Sequence, residues 1–365
     1  MKRQMDDQKN IRIAYIDATK GLGIFITMVV HSCGFPIMGK YFQGFFLPVF
    51  WVIMGYFTPE ITRNDLPKMI KKSFRNLIFP YVVCNLFLVP MGWAKTALGG
   101  GTISIGYIMR TIGGVFYGRY MIGTSLDEPI VIFEELNHPL WFLPASYFSV
   151  WIFYIVKVKI KYWKVKSVAV CCMICIIIAK LLSYLPILLP WSMDTAGCII
   201  IFLIVGDIVK QQGGFDRNVV PGITYLVVGV GYLTMCKMDT VANIAIRMYG
   251  KSIALYIVKG IVGSLLCIMF FRFVRQWRIV TLLSALGRVS LSILCWHVCV
   301  FNVIDGITFS VCHYTLEKLR SNMPVAYYFY CVGEIILTVI IICLGRMGLR
   351  KFKSEVFCLE PRRRA

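Results

Sequence analysis

Apolar runs close to twenty residues long recur along this chain, and no other feature narrows its fold as much. A run of that length crosses a bilayer as a helix, and in hydrocarbon only a helix or a closed barrel satisfies its own backbone. Ten such runs fall at roughly 15–36, 41–58, 76–96, 140–156, 167–188, 196–209, 219–236, 252–271, 280–303 and 325–345. They account for a sequence that is 58% hydrophobic and only 16% charged, where soluble domains carry about a quarter charged residues. No linker rich in Pro, Gly or Ser divides the chain, and no internal repeat is visible. The expected fold is an all-α polytopic membrane protein of about ten transmembrane helices. Residues 1–365 form a single membrane domain without a separate soluble part, ending in a basic tail at 346–365.

The net charge of +21 follows topology. If the N-terminus is cytoplasmic, the inner segments hold 26 of the 39 Lys and Arg residues. The outer segments hold Lys40, Lys95, Arg110, Arg119, Lys237, Arg247, Lys251, Lys318 and Arg320, and the spans hold Lys20, Lys180, Lys259 and Arg288. That asymmetry is the positive-inside pattern. It puts both termini in the cytoplasm, the protein in the plasma (inner) membrane as a multi-pass chain, and basic loops against anionic membrane lipids. The charge follows loop sidedness and no binding motif, so nucleic acid is not an expected partner. The fourteen cysteines show no metal-ligand spacing, and neither a metal nor a structural disulfide is expected. No feature of the sequence specifies an oligomer. The first run is not a cleaved signal peptide, because it is too long and ionisable residues interrupt it.

That first run, "YIDATKGLGIFITMVVHSCGFP", carries Asp17, Lys20 and His31, all costly in hydrocarbon. Eleven residues separate Lys20 from His31, about three turns and roughly 16 Å of rise, so the two share a face within about 20°. Asp17 lies one turn before Lys20 on nearly the same face. Gly21 and Gly23 thin the helix for the close approach of a neighbour. Each residue has a bland reading: Lys20 snorkels, Asp17 pairs with it at the interface, and His31 bonds a neighbouring helix. Three on one face favour a site. Among them, His31 is the group that accepts a proton near neutral pH.

With these residues in view, the stretch "IDATKGLGIFITMVVHSCG" resembles the opening signature of the acyltransferase family 3 membrane proteins. Four further stretches agree in order. They are "PVFWVIMGYF", with Gly55, Tyr56 and Phe57; "KKSFRNLIFPY", with Arg75, Pro80 and Tyr81; "PLWFLPASYF", with Trp141, Phe142 and Pro144; and "LGRVSLSILCWHVCV", with Gly287, Ser290 and His297. The sequence looks most like the sugar O-acetylase branch, which resembles fucose O-acetylases. The resemblance implies transfer of an acyl group, commonly acetyl, from cytoplasmic acyl-CoA to a carbohydrate hydroxyl on a cell-surface glycan or its lipid-linked precursor. On that reading Lys20, Lys71, Lys72 and Arg75 meet the CoA phosphates. His31 acts as general base or first receives the acyl group, and Asp17 holds Lys20. A transporter or flippase for a lipid-linked sugar or organic acid is the competing class. It would favour broken helices and repeated halves, neither of which is evident.

The remaining candidates are less specific. His297 reads either as a core histidine or as part of the site. Ser290, two turns earlier, lies on the same side of the helix within about 20°. Trp141 offers an apolar face for a sugar ring, while Phe142 reads as a membrane-interface belt aromatic. The segment 97–139 is expected to form a re-entrant or interfacial helix around 103–117, followed by an acidic lid with Asp127, Glu128, Glu134 and Glu135. Asp207 and Lys259 are polar groups in spans with no evident partner. His138 and His313 fall in outer loops.

Overall fold

The computed structural model describes residues 13–34, 40–42, 44–98, 100–119, 121–123, 139–216, 221–312 and 316–358. In chain order the helices are α1 (Ala14–Ser32), α2 (Pro48–Tyr56), α3 (Leu66–Ser73), α4 (Phe79–Leu98), α5 (Ile105–Tyr117), α6 (Phe142–Lys159), α7 (Val165–Leu182), α8 (Ala196–Gln211), α9 (Gly222–Met238), α10 (Ile253–Phe273), α11 (Arg278–Arg288), α12 (Ser290–Cys312), α13 (Leu316–Asn322) and α14 (Pro324–Cys358). The described residues contain no strand, only the isolated bridges Gly123–Ile187 and Asn243–Met248. The protein is an all-α polytopic membrane protein. Among the described residues seven helical segments are long and apolar enough to cross a membrane, and Gly222–Met238 is a shorter apolar one.

All ten apolar runs contain helix. Against the ten expected spans, the first run, α1, is not among the seven segments apolar enough to cross, and the seventh run is the shorter Gly222–Met238. Two more differ in form. The second run yields only the nine-residue α2, entered through a turn at 44–47. The ninth run is divided. Its first part is the amphipathic α11, and the chain turns at Val289 before α12 begins the true span. Polar Arg278, Thr281, Ser284 and Arg288 interrupt the apolar positions of α11, so it lies against the bundle and does not cross it. The 103–117 segment forms α5, capped by Ser104 at its start and by left-handed Gly118 (φ 74°) at its end. The expected acidic lid and His138 and His313 lie outside the described residues.

Two close crossings set the bundle. On the first, Gly21 of α1 meets the Leu283 carbonyl of α11, and Gly287 of α11 meets the Asp17 carbonyl of α1. On the second, Gly55 of α2 meets the Leu203 carbonyl of α8, and Gly206 meets the Val52 carbonyl. A Cβ at any of these four positions would overlap backbone, so only glycine allows the contact. Between the crossings stands an aromatic column. Trp51 is fully buried, donates from Nε1 to Ser146 Oγ at 2.8 Å, and stacks on Phe142 at 5.2 Å and Phe202 at 6.0 Å. Phe202 continues edge-on to Tyr256. Helix α7, by contrast, lies at the outside of the bundle: only Ala179 is buried, and the helix packs on α8 where Gly197 meets the Cys175 carbonyl.

Several charges in the spans are paired between segments, which is how a membrane interior tolerates them. Lys157 of α6 bonds Asp207 of α8, and Trp163 Nε1 reaches the other Asp207 oxygen at 2.8 Å. Lys259 of α10 meets Asp239, just past α9, at 2.5 Å. Asp239 also accepts from the Lys251 and Thr240 amides at 2.7 and 2.9 Å.

The four close-contact glycines should resist any side chain. Gly287→Val should lower stability by about 3 kcal/mol, or prevent folding, in thermal unfolding of the lipid-embedded protein. Gly229→Ala, where a Cβ meets nothing within 4 Å, should leave the transition unchanged. A second expectation concerns acid. Burial alone would raise the Asp239 carboxyl, but the Lys251 amide and the Lys259 ammonium outweigh it and hold the group below its ordinary value. The stability it contributes is therefore present above the unfolded carboxyl pKa, about 3.9, and is lost as pH falls through the lower folded value. Unfolding followed against pH should show an acid limb that is shallower in Asp239→Asn.

Candidate functional site

Helix α1 runs through the middle of the bundle, touching α2, α10, α11, α12 and α14. Asp17 and Lys20 pair along it at 2.5 Å, with Lys20 half-buried. Beside Lys20 opens an apolar cavity of about 150 Å³, lined among others by Ile24, Thr27, Phe50, Leu77 and Ser290. A second cavity, of about 110 Å³, lies beside His31 and is walled by Phe46, Trp141, Tyr256 and the turn 242–245. Thr27, Leu47, Phe142 and Leu294 line both. In succession along one face of α1 they form an apolar passage from Lys20 to His31, in two separate chambers divided by these four residues.

His31 also borders a third cavity, of about 300 Å³, whose character is opposite. Its lining includes Ser32, Asn302, Asp305, Tyr330 and Glu334. Ser32 donates to Glu334, and Tyr330 donates to Asp305 at 2.6 Å. Lys95 at the rim donates to Asn302 at 3.1 Å, and Tyr327 ties α14 to the Ser32 carbonyl at 3.2 Å. The His31 imidazole therefore separates an apolar passage from a polar chamber.

Against His31 stands His297 of α12, with ring centroids 5.3 Å apart and planes tilted by 55°. His297 is fully buried. Its Nδ1 sits 2.8 Å from the Ile293 carbonyl and 3.1 Å from that of Leu294. Carbonyls only accept, so Nδ1 carries a hydrogen. Helix α12 thus fixes the orientation of the second imidazole through Nδ1, the kind of support that tunes a neighbouring base.

The residues singled out from sequence fall into three groups. His31, His297 and Trp141 come together at the junction of the cavities. Asp17, Lys20 and Ser290 gather at the far end of the passage, so Ser290 does not join His297 as the helical spacing suggested; it stands at the first residue of α12 and lines the Lys20 cavity. Lys71 and Lys72 on α3 and Arg75 on the next turn are exposed, and none lines the passage. That next turn, Phe74–Ile78, is a π-helix closed by Phe79 N–H to the Phe74 carbonyl. Pro80 has no N–H to offer the Asn76 carbonyl, which is what widens the turn. Its Leu77 lines the Lys20 cavity, so the basic turn stands at that mouth. Phe142 is a correction: it is no belt aromatic but is buried against Trp51 and shared by both apolar cavities.

Sequence reading missed the polar chamber. Glu334 was the available signal, a carboxylate in the middle of the tenth apolar run, and such a group is a functional candidate by default. Asp305 lay just beyond the expected end of the ninth run. Tyr330 and Asn302 carry no signal until α12 and α14 are placed side by side.

A family model described as an acyltransferase domain matches residues 13–343, nearly the whole chain. The chain belongs to acyltransferase family 3. No curated protein and no solved structure shows a significant match. The matched region contains α1 to α13 and most of α14, so the passage, both histidines and the polar chamber are all parts of the acyltransferase domain. Membership also decides between transferase and carrier in favour of the transferase.

The neck between the two apolar cavities gives this acyltransferase a direct test. Leu294→Trp should fill it and lower acyl transfer about a hundredfold, measured as product per folded protein, while thermal unfolding stays near that of the wild type.

Proposed function

We propose that the protein transfers an acyl group, most simply acetyl, from acyl-CoA at the Lys20 end to a hydroxyl of a cell-surface glycan or its lipid-linked precursor held at the His31 end. One observation carries this reading: His31 is the shared wall between an apolar passage to Lys20 and a polar chamber holding Asp305 and Glu334. A CoA thioester is an anionic head on a long, thin arm. Lys20 and the exposed Lys71, Lys72 and Arg75 offer cations to the head on the side the charge asymmetry assigns to the cytoplasm. The apolar passage suits the arm. A sugar is a polyol, and carboxylates, an amide and hydroxyls suit its hydrogen bonds.

The chemistry then needs one base at the junction. His31 takes the proton of the acceptor hydroxyl as its oxygen attacks the thioester carbonyl carbon. The tetrahedral intermediate collapses, the C–S bond breaks, and the imidazolium returns the proton to the leaving thiolate. In the alternative order His31 attacks first and carries the acyl group to the acceptor, with ping-pong kinetics. In both, His297 orients and buffers His31, and Asp17 holds Lys20 in line.

The test uses purified protein in lipid bilayers, acetyl-CoA and a pool of glycan precursors, with free CoA and acetylated product followed together. His31→Ala and His31→Gln should each lower transfer by about a hundredfold or more with the fold intact. Asp305→Asn should raise the acceptor KM and leave acetyl-CoA affinity unchanged. A wild type that does not bind acetyl-CoA would sink the donor assignment. Full activity in His31→Gln would sink the base.

A further inference from the structure

Three connections at the His31 end converge on a buried ionic cluster that lies outside the passage and the polar chamber. Arg119, counted from sequence among the loop cations, is buried, as are Asp194 and Arg247. Arg119 bonds Asp194 through Nη2, the Ala245 carbonyl through Nη1, and the Leu189 carbonyl through Nε at 2.8 Å. The second Asp194 oxygen accepts from the Leu189 amide at 3.0 Å and meets Arg247 Nε at 3.5 Å. Arg247 itself holds the carbonyls of Leu182 and, at 2.6 Å, Leu185. Burial pulls the Arg119 guanidinium below its ordinary value while Asp194 works against it.

What the cluster holds is the turn 242–247. Its ends are tied by reciprocal bonds between Asn243 and Met248, at 2.7 and 2.9 Å. Asn243 Oδ1 accepts from the Ala245 amide at 3.2 Å, and Arg247 takes a left-handed φ of 60° to close the turn. Residues 242–245 form one wall of the cavity that contains His31. Their side chains are small or apolar apart from Asn243, and their only regular structure is the single 3-10 turn Ile244–Ile246. Behind the turn, Ile246 also packs on Met121 and Leu188, and the two guanidinium forks add the polar ties that fix its backbone.

We infer that Arg119, Asp194 and Arg247 are positioning residues that clamp the turn 242–247 as a wall that keeps water out of the apolar cavity beside His31, so that acyl groups lying there are passed to the acceptor hydroxyl and not to water. The inference rests on the acyl-transfer reading above. The competing reaction balances simply: water attacks the thioester carbonyl, the C–S bond breaks, and the products are a carboxylate, a free thiol and a proton. The same imidazole that activates a sugar hydroxyl activates water equally well, so exclusion must come from the walls. A guanidinium fork that meets two carbonyls at once sets a turn more firmly than a point charge. The wall is therefore expected to depend on the forks and not only on the net charge.

The experiment compares wild type, Asp194→Asn and Arg247→Lys in lipid bilayers, with two readouts. The first is the ratio of acetate to acetylated product at saturating acetyl-CoA. A purely structural loss lowers both products together, whereas an open wall raises the ratio, by about tenfold or more. The second is independent of activity. Each protein also carries Thr27→Cys in the wall shared by the two apolar cavities, and labelling of that residue by a membrane-impermeant maleimide is quantified by peptide mass spectrometry. Faster labelling in either clamp variant supports the clamp. Labelling and ratio unchanged in folded Arg247→Lys overturn it, even if the wild type is active. If the wild type does not turn over acetyl-CoA, the functional reading falls, and the labelling rates alone still decide whether the clamp closes the cavity.

Discussion

The crossing of α1 and α11, backbone against backbone at Gly21 and Gly287, is the contact on which the site depends. Helix α1 carries an aspartate, a lysine and a histidine and is a poor membrane helix on its own terms. It is kept inside the bundle because its neighbours surround it. With α11 drawn onto its Lys20 half and α12 and α14 on its His31 half, the two helix faces left open are the ones that line the cavities. Moving α1 outward by the width of one methyl group would shift Lys20 and His31 together, since both ride on the same rigid rod.

The rest of the bundle repeats one solution to the cost of charge. Lys157 with Asp207, Lys259 with Asp239, and Arg119 with Asp194 and Arg247 each join segments distant in sequence. Breaking a buried pair leaves a stranded charge, which costs far more than the pair itself contributes. These pairs therefore act chiefly to specify which helix lies beside which. The Asp194 cluster joins three connections that charge asymmetry assigns to one side of the membrane. The Asp207 network, with Trp163 and Gln211, joins two assigned to the other. The alternation of sides read from the basic loops is thus repeated in the contacts.

What could be read from sequence was what is local. The helical runs, the Asp17–Lys20 pair one turn apart, and the shared face of Lys20 and His31 all follow from residue spacing along one element. The capped helix at Ile105–Tyr117 is legible for the same reason. The partners of Asp207 and Lys259 were not legible, because they are set by helix packing across 50 and 20 residues of chain respectively. Phe142 was misread because an aromatic near a span end looks alike whether it faces lipid or Trp51. The break at Val289 was legible in principle, since Ser284, Gly287, Arg288 and Ser290 interrupt the apolar run around it, but nothing local separates a polar helix face from a turn between two helices. Glu334 was legible in principle, since a lone carboxylate in a span demands a partner, and Ser32 supplies one.

An imidazole placed as a wall between two chambers has a chemical consequence. A donor threaded along the apolar passage and an acceptor held among carboxylates and hydroxyls never have to share one solvent environment. The passage stabilises an extended, weakly polar arm and strips water from the thioester. The polar chamber keeps a hydroxyl-rich acceptor hydrogen-bonded until it reaches His31. On the proposed reading the acyl group is the only part that changes sides, and it moves by bond exchange at the junction. The anionic head of the donor stays at Lys20, where its charge is tolerated. A transferase built this way needs no large motion to move an acyl group from one face of the membrane toward the other. It needs a base that reaches both chambers, which His31 does, and walls that keep water from the apolar side.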